Sequence, residues 1–387
     1  MCAKKRLLEL PLKVVLTQEG SSFFIRKGTK LIRFKLAGDV EEYGIYLDKF
    51  QPATIQRLLL AGYVSKLEIS KPEFVSSRQE IMDLSKLIVY SVLYRQYDSF
   101  IFNELINSPV IKKWNRMNPA NIIDDKTNIN EKLLAKFLER SESSINETKR
   151  RIMEPLTTFI LKNGQLAPEE KNVQIFLSEK FLNNLRPFTW FILPKIQESH
   201  DSETILKTLR TGLVEYMDKT KIAEYISLML MELIISAENL NLRNEAKKLF
   251  PELTNPQDAL LDPTIRRRLV AELERKQELV FLSWKIGGTS SASIGTSGKL
   301  QITIYSKNEK SETVRENLND VKNSNVGENS LIDFYKDLPE GSQDSSLGMY
   351  YISYLSDACQ QVNVRFESSA SRFQNSDLAV INMSFMF

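Results

Sequence analysis

Histidine is almost absent from this chain: His200 stands alone among 387 residues. That excludes multi-histidine metal centres and leaves a nucleophilic triad with a single possible base. Cysteine is nearly as scarce. Cys2 and Cys359 make no disulfide framework, and Cys359 falls on the apolar side of a helical pattern, where it reads as a small core residue. No apolar run reaches the ~18 residues that a membrane helix needs. In "MCAKKRLLEL" no apolar stretch precedes Cys2, so neither a secretory nor a lipoprotein signal fits. The expectation is a cytoplasmic protein without membrane insertion. Fourteen glycines and thirteen prolines are too few for a collagenous or low-complexity chain. No "G-x-S-x-G" elbow occurs, and "GTSGKL" at 295–300 lacks the phosphate-loop spacing. Neither sign of charge dominates. Lys and Arg number 52 against 49 Asp and Glu, a net charge of +3. Such a balance sets up no strong field toward nucleic acid or an anionic membrane. The runs Lys149–Arg151 and Arg266–Arg268 read as solvated helix faces, and nucleic acid is not an expected partner.

What is present is ordinary in amount and informative in order. Residues 1–77 read as a small α+β unit: "LKVVLTQ" and "SSFFIRKGTKLIRFKL" carry β-branched and aromatic residues in short strand-like runs broken by Gly20 and Gly28. "PATIQRLLLAG" then predicts a helix from Pro52 to a terminating Gly62, and "YVSKLEIS" a strand. Residues 78–165 read as helical, with Ile81, Leu84, Ile88 and Val92 at three-to-four spacing. The stretch from "INEKLLAKF" to "FILKN" reads as one amphipathic helix. Gly164 and Pro168 mark a linker at 163–170. From 171 a second helical stretch follows, apolar over nearly its whole circumference between Ile222 and Ile235. The aromatic cluster Phe188, Trp190 and Phe191 reads as core packing, with a partner surface as the alternative. The last 110 or so residues change character: a hairpin of "ELVFLSWKIG" and "KLQITIYSKN" leads to a polar segment at 307–346. A small-residue loop, "DSSLGMYY", enters a helix, and the strands "VNVRFES" and "DLAVINMSFMF" follow.

This order resembles the ATP-binding domain shared by sensor histidine kinases, gyrase-type topoisomerases, Hsp90 chaperones and mismatch-repair proteins. The resemblance covers residues 171–387, with its core at about 205–387. The N-terminal unit is similar in outline to the accessory domain that precedes cyclic-dinucleotide phosphodiesterases. The metal motif of those enzymes does not follow it. Together these imply an α+β multidomain protein: a small N-terminal α/β unit, a helical middle at 78–165, and a C-terminal α/β sandwich of the histidine-kinase ATPase class.

The resemblance also says where nucleotide chemistry would sit. The family's first-helix motif, "E-L-x-x-N-A", falls on Glu232, Leu233, Ser236 and Ala237. The acid is kept, a hydroxyl replaces the amide that holds magnesium, and Asn239 lies one turn away. The "D-x-G-x-G" motif that reads adenine falls on Ser306, Asn308 and Lys310, with all three diagnostic residues replaced. The glycine-rich phosphate loop falls on Asp344, Ser345, Ser346, Leu347, Gly348 and Met349, where Gly348 alone is in register. His200 lies in an "S-H-D" context similar to a kinase phosphoacceptor, but also reads as a surface or helix-capping residue. The implied protein is a non-catalytic regulatory or scaffolding module acting through a protein partner, with homodimerisation open and no cofactor or metal expected. The alternatives are an atypical ATPase or kinase using ATP and Mg, with Glu232 as its base, and a sensor of another nucleotide.

Overall fold

A computed structural model of the chain describes residues 7–34, 41–125, 127, 130–164, 166–196, 202–252, 256–287, 298–307, 347–372 and 378–387. The first elements are β1 (Leu12–Leu16), α1 (Gln18–Arg26), β2 (Ile32–Phe34), β3 (Glu42–Leu47), α2 (Pro52–Leu60) and β4 (Val64–Lys71). Helices follow: α3 (Arg78–Ile106), α4 (Pro109–Met117), α5 (Glu131–Arg140), α6 (Glu142–Lys162), α7 (Pro168–Asn184), α8 (Pro187–Ile196), α9 (Ser202–Thr220), α10 (Ile222–Leu249), α11 (Pro256–Leu261) and α12 (Pro263–Lys276). The chain closes with β5 (Val280–Gly287), β6 (Lys299–Lys307), α13 (Leu347–Gln361), β7 (Arg365–Arg372) and β8 (Leu378–Met386). The protein is therefore of mixed α+β class, with one antiparallel sheet among the described residues.

Two sequence expectations need correction. The run "SSFFIR" is helical, in α1, although its Phe and Ile content favours a strand. The Thr17 side chain accepts a hydrogen bond from the Gly20 backbone N–H at 3.1 Å, and Glu19 occupies the first turn. A capped helix start outweighs strand propensity here. The long helix expected from 129 to 163 is two, α5 and α6, divided at Ser141. Elsewhere the signals hold locally: α2 starts at Pro52 and is followed by Gly62 at φ 72°, a left-handed residue that suits glycine. The short helix expected around "SLIDFYKDL" lies outside the described residues.

The eight strands run in the order β2-β3-β1-β4-β5-β6-β8-β7. Strand β4 pairs antiparallel with β5 from Lys66↔Lys285 to Lys71↔Val280, so N-terminal and C-terminal strands share one ladder. The described residues form two compact units that divide the chain differently from the boundaries read in the sequence. The first takes residues within Met1–Val92, Lys221–Ser290 and Ser297–Phe387, and the second those within Leu93–Thr220. A hydrophobic pattern says which face of a strand is buried but not which strand lies beside it, which is why the pairing escaped the sequence.

In the first unit one sheet face is apolar. Leu12, Val14, Leu67, Ile69, Leu282, Trp284, Ile302 and Phe385 are fully buried, and α10 packs against β5 and β6 while α13 packs against β7 and α10. The other face is polar: Lys13 and Lys66 both pair with Glu68, at 2.5 and 2.7 Å, and Thr303 donates to Asn382 at 2.8 Å. Gly44 in β3 sits where a side chain has no room, since a Cβ would lie 2.0 Å from the Val14 carbonyl oxygen and 2.7 Å from the Phe34 ring. Gly44→Ala should therefore destabilise the unit by about 1–3 kcal/mol, read from the midpoint of urea unfolding. A midpoint equal to that of the parent would mean that the strand shifts freely.

The second unit is helical. Ile152, Leu156 and Ile160 of α6 are buried, as are Phe181 and Leu182 of α7, Ile192 and Leu193 of α8, and Leu209 and Leu213 of α9. Asp98 is its main polar tie, accepting from Arg186 Nε at 2.7 Å and from the Arg186 backbone N–H at 3.2 Å. Trp190 is buried and Phe188 stacks on Phe191, so these aromatics pack inward in part.

Candidate functional site

Helix α10 is where the sequence and the structure both concentrate unusual chemistry. Its 28 residues carry apolar side chains on most sides, yet four polar residues are wholly buried: Ser227 near its start and three further along. Glu238 is 0%, Asn241 3% and Glu245 1% exposed. Spaced three and four apart, they form one stripe along the helix.

At its upper end, Glu238 Oε1 accepts the Phe74 backbone N–H at 2.5 Å, and Oε2 lies 3.8 Å from Arg78 Nη2. Phe74 belongs to the connection between β4 and α3, and Arg78 opens α3, so this carboxyl ties both to α10. Beside it, Arg266 of α12 donates to Glu73 at 2.9 Å. At the lower end, Lys276 at the last turn of α12 bonds Glu245 Oε1 at 2.5 Å. Between them, neither Asn241 Nδ2 nor Asn241 Oδ1 has a hydrogen-bond partner among the described residues, nor has Glu245 Oε2, and Glu238 Oε2 has only its ion pair with Arg78. Buried groups in this condition are costly, by about 1–3 kcal/mol each, and mark sites of function or strain.

Burial pushes the Glu238 carboxyl up to about 7, with Glu73 adding to the rise and the Phe74 N–H, Arg78 and Arg266 opposing it. The group thus changes charge near neutrality, a behaviour found disproportionately at functional sites. The thiol of Cys359, by contrast, is buried and pushed up to about 12, an inert core residue.

The residues singled out in the sequence lie elsewhere on the same helix. Glu232, Ser236 and Asn239 recur at four- and three-residue spacing on a half-buried face roughly opposite the stripe. The Glu232 carboxyl is raised by burial, against the pull of Arg78. Ser306 is in β6, its backbone paired with Ala379 of β8. Gly348 is the second residue of α13, inside the helix rather than in a loop ahead of it. Helices α10 and α13 pack on each other, so Glu232 and Gly348 lie on touching elements. Asn308, Ser345, Ser346 and His200 lie outside the described residues.

The position that the resemblance gives to the magnesium ligand is Ser236, a hydroxyl where the family has an amide. Among the described residues no group of three or more His, Cys, Asp or Glu is placed to hold a metal ion. No described helix is long and apolar enough to cross a membrane. The stripe itself was missed in the sequence because Glu, Asn and Glu one turn apart normally mark the wet side of a helix. The available signal was that this side is flanked by Ile234, Leu242 and Ala246.

Comparison with known proteins returns no solved structure that matches. An uncharacterized protein of Treponema pallidum (strain Nichols) is 50% identical over 384 residues, covering 99% of each chain. A family of unknown function, DUF8084, matches residues 3–387, and with nearly the whole chain inside that match the protein belongs to the DUF8084 family.

Proposed function

We infer that this protein is a non-catalytic regulatory or scaffolding module of the cytoplasm, built on a degenerate histidine-kinase-type ATPase domain and acting through a protein partner. One combined observation supports the reading. The chain order α10, β5, β6, α13, β7, β8, with α10 and α13 packed on the sheet, agrees with the element order on which the ATPase resemblance rests. The positions that would hold magnesium and read adenine carry the hydroxyls of Ser236 and Ser306 instead. A serine is too short to replace a fixed carboxylate, and its hydroxyl, though a hard oxygen, reaches less far than the amide oxygen it stands for. Architecture without its ligands is what a domain retained for recognition would keep; fold alone carries no activity.

Calorimetry of the purified chain with ATP and Mg²⁺ tests this directly. No heat of binding is expected at concentrations up to a millimolar order. Micromolar affinity would overturn the non-catalytic reading and return Glu232, half-buried with a raised carboxyl, to the role of a base.

A further inference from the structure

The Glu238 carboxyl and the Arg78 guanidinium stand together without completing a hydrogen bond. Glu238 Oε2 is buried and has no hydrogen-bond donor among the described residues. Arg78 Nη2 lies 3.8 Å from that oxygen, beyond hydrogen-bond reach, and Arg78 Nε is buried with no acceptor. A movement of about 1 Å would bring the pair to the separation of a charge-assisted bond. The other oxygen leaves no such gap, since Oε1 accepts the Phe74 N–H at 2.5 Å.

A neutral carboxyl explains the gap. It offers little to draw a guanidinium out of water, and the Arg78 side chain keeps 38% of its surface exposed. An ionised carboxylate in the same place would be a buried charge held by one backbone donor, which is costly until a second, charged partner closes on it. It would also stand near the amino end of α3, where the helix dipole favours negative charge.

The surroundings single out Arg78 as that partner. Three charged groups act on the carboxyl among the described residues: Glu73 from the β4–α3 connection, Arg78 from α3 and Arg266 from α12. Arg266 is committed to Glu73 at 2.9 Å, and Lys71, at the end of β4, donates to Ser77. One turn beyond Asn241 on α10, Glu245 is held by Lys276. Strands β5 and β6 turn apolar side chains toward α10, and Asp357 of α13 is exposed. Arg78 alone is both close and free to move.

We propose that Glu238 and Arg78 form a proton-controlled latch: with the acid protonated the two stand apart, and loss of the proton draws Arg78 onto Oε2 and pins the start of α3 to α10. Burial pushes this carboxyl up to about 7, so the latch is open below neutrality and closed above it. Nothing in the device depends on whether the chain binds a nucleotide.

The test is nuclear magnetic resonance of the full chain, labelled with ¹³C at glutamate carboxyls and ¹⁵N at arginine, from pH 5 to 9. The Arg78 guanidinium signal is assigned by its loss in Arg78→Gln. It should shift with the same midpoint as the Glu238 carboxyl carbon. Above that midpoint its N–H protons should exchange with water about tenfold more slowly, as a hydrogen bond to a charged group requires. His200 is another side chain that titrates in this range. Glu238→Gln keeps that histidine and removes the latch, so in this variant the Arg78 signal should stay still from pH 5 to 9. Arg78→Gln, at a partly exposed position, should move the Glu238 midpoint further up, because the carboxylate loses its nearest cation. An Arg78 signal that does not follow Glu238, one that still shifts in Glu238→Gln, or a Glu238 midpoint unmoved in Arg78→Gln would each overturn the proposal.

Discussion

Glu238→Ala should destabilise the first unit by about 3 kcal/mol or more, because it removes the acceptor of a buried backbone donor and leaves Arg78 without its carboxylate. Equilibrium urea unfolding measures it. Glu238→Gln is the more informative companion, since the amide keeps an acceptor for the Phe74 N–H and carries no charge. In the folded chain the carboxyl titrates at about 7, against an ordinary value of 4.5. The folded state therefore binds the proton more tightly than the unfolded state between those limits. The stabilisation this proton provides is complete below about pH 4.5 and is lost as pH rises to about 7. Integrated across that window the loss is about 3 kcal/mol. The difference in unfolding free energy between parent and Glu238→Gln should accordingly shift by that order between pH 4.5 and 8, in favour of the variant at the higher pH. Two curves that stay parallel would mean that Glu238 binds its proton equally in the folded and unfolded states and that burial does not govern it.

Trp284→Ala should cost about 3–5 kcal/mol, the range for deleting a large buried aromatic side chain. Trp284 is 0% exposed on the apolar face of β5, directly across from Leu67 of β4. The location makes the consequence more specific than a loss of stability. Because β4 comes from the N-terminal segment and β5 from the C-terminal one, the cavity opens under the ladder that joins them. Hydrogen exchange should speed up for amides of β4 and β6 alike, rather than for the C-terminal strands alone. Protection lost only in β5, β6, β7 and β8 would show that the two parts of the sheet are energetically independent. Trp284→Phe should be much milder, about 1 kcal/mol, since the indole Nε1 has no hydrogen-bond partner among the described residues to lose.

These predictions rest on features that the sequence disclosed unequally. The opening of α2 at Pro52, the periodicity of α3 and the hairpin of β5 and β6 could all be read from local pattern. Each depends on residues within a few positions of one another: a proline at a helix start, apolar residues every three or four, alternation either side of a turn. The seventeenth residue shows how local reading fails locally. Thr17 caps α1 through the Gly20 N–H, and that one bond redirects a run whose Phe and Ile content favours a strand. The candidate site was legible only as a helix worth attention. Glu232, Ser236 and Asn239 were chosen on α10 because a family motif could be laid over them. Glu238, Asn241 and Glu245 were passed over because a polar stripe on a helix looks the same in sequence whether it faces water or protein.

By itself, then, the sequence determined most of the local elements, the absence of histidine-rich and disulfide chemistry, and the burial of α10 on several sides. These follow from composition and short-range periodicity, which need no knowledge of neighbours. Only the tertiary structure decided that β4 joins β5 in one eight-stranded sheet, and that the Glu238 face of α10 is the dry one. It also decided that Arg267, Arg268, Lys247 and Lys248 are left to solvent while Arg266 and Lys276 turn inward. Each of these depends on what lies opposite a side chain across many residues of sequence. Burial, charge pairing and the proton affinity of a carboxyl are properties of that surrounding, not of the residue.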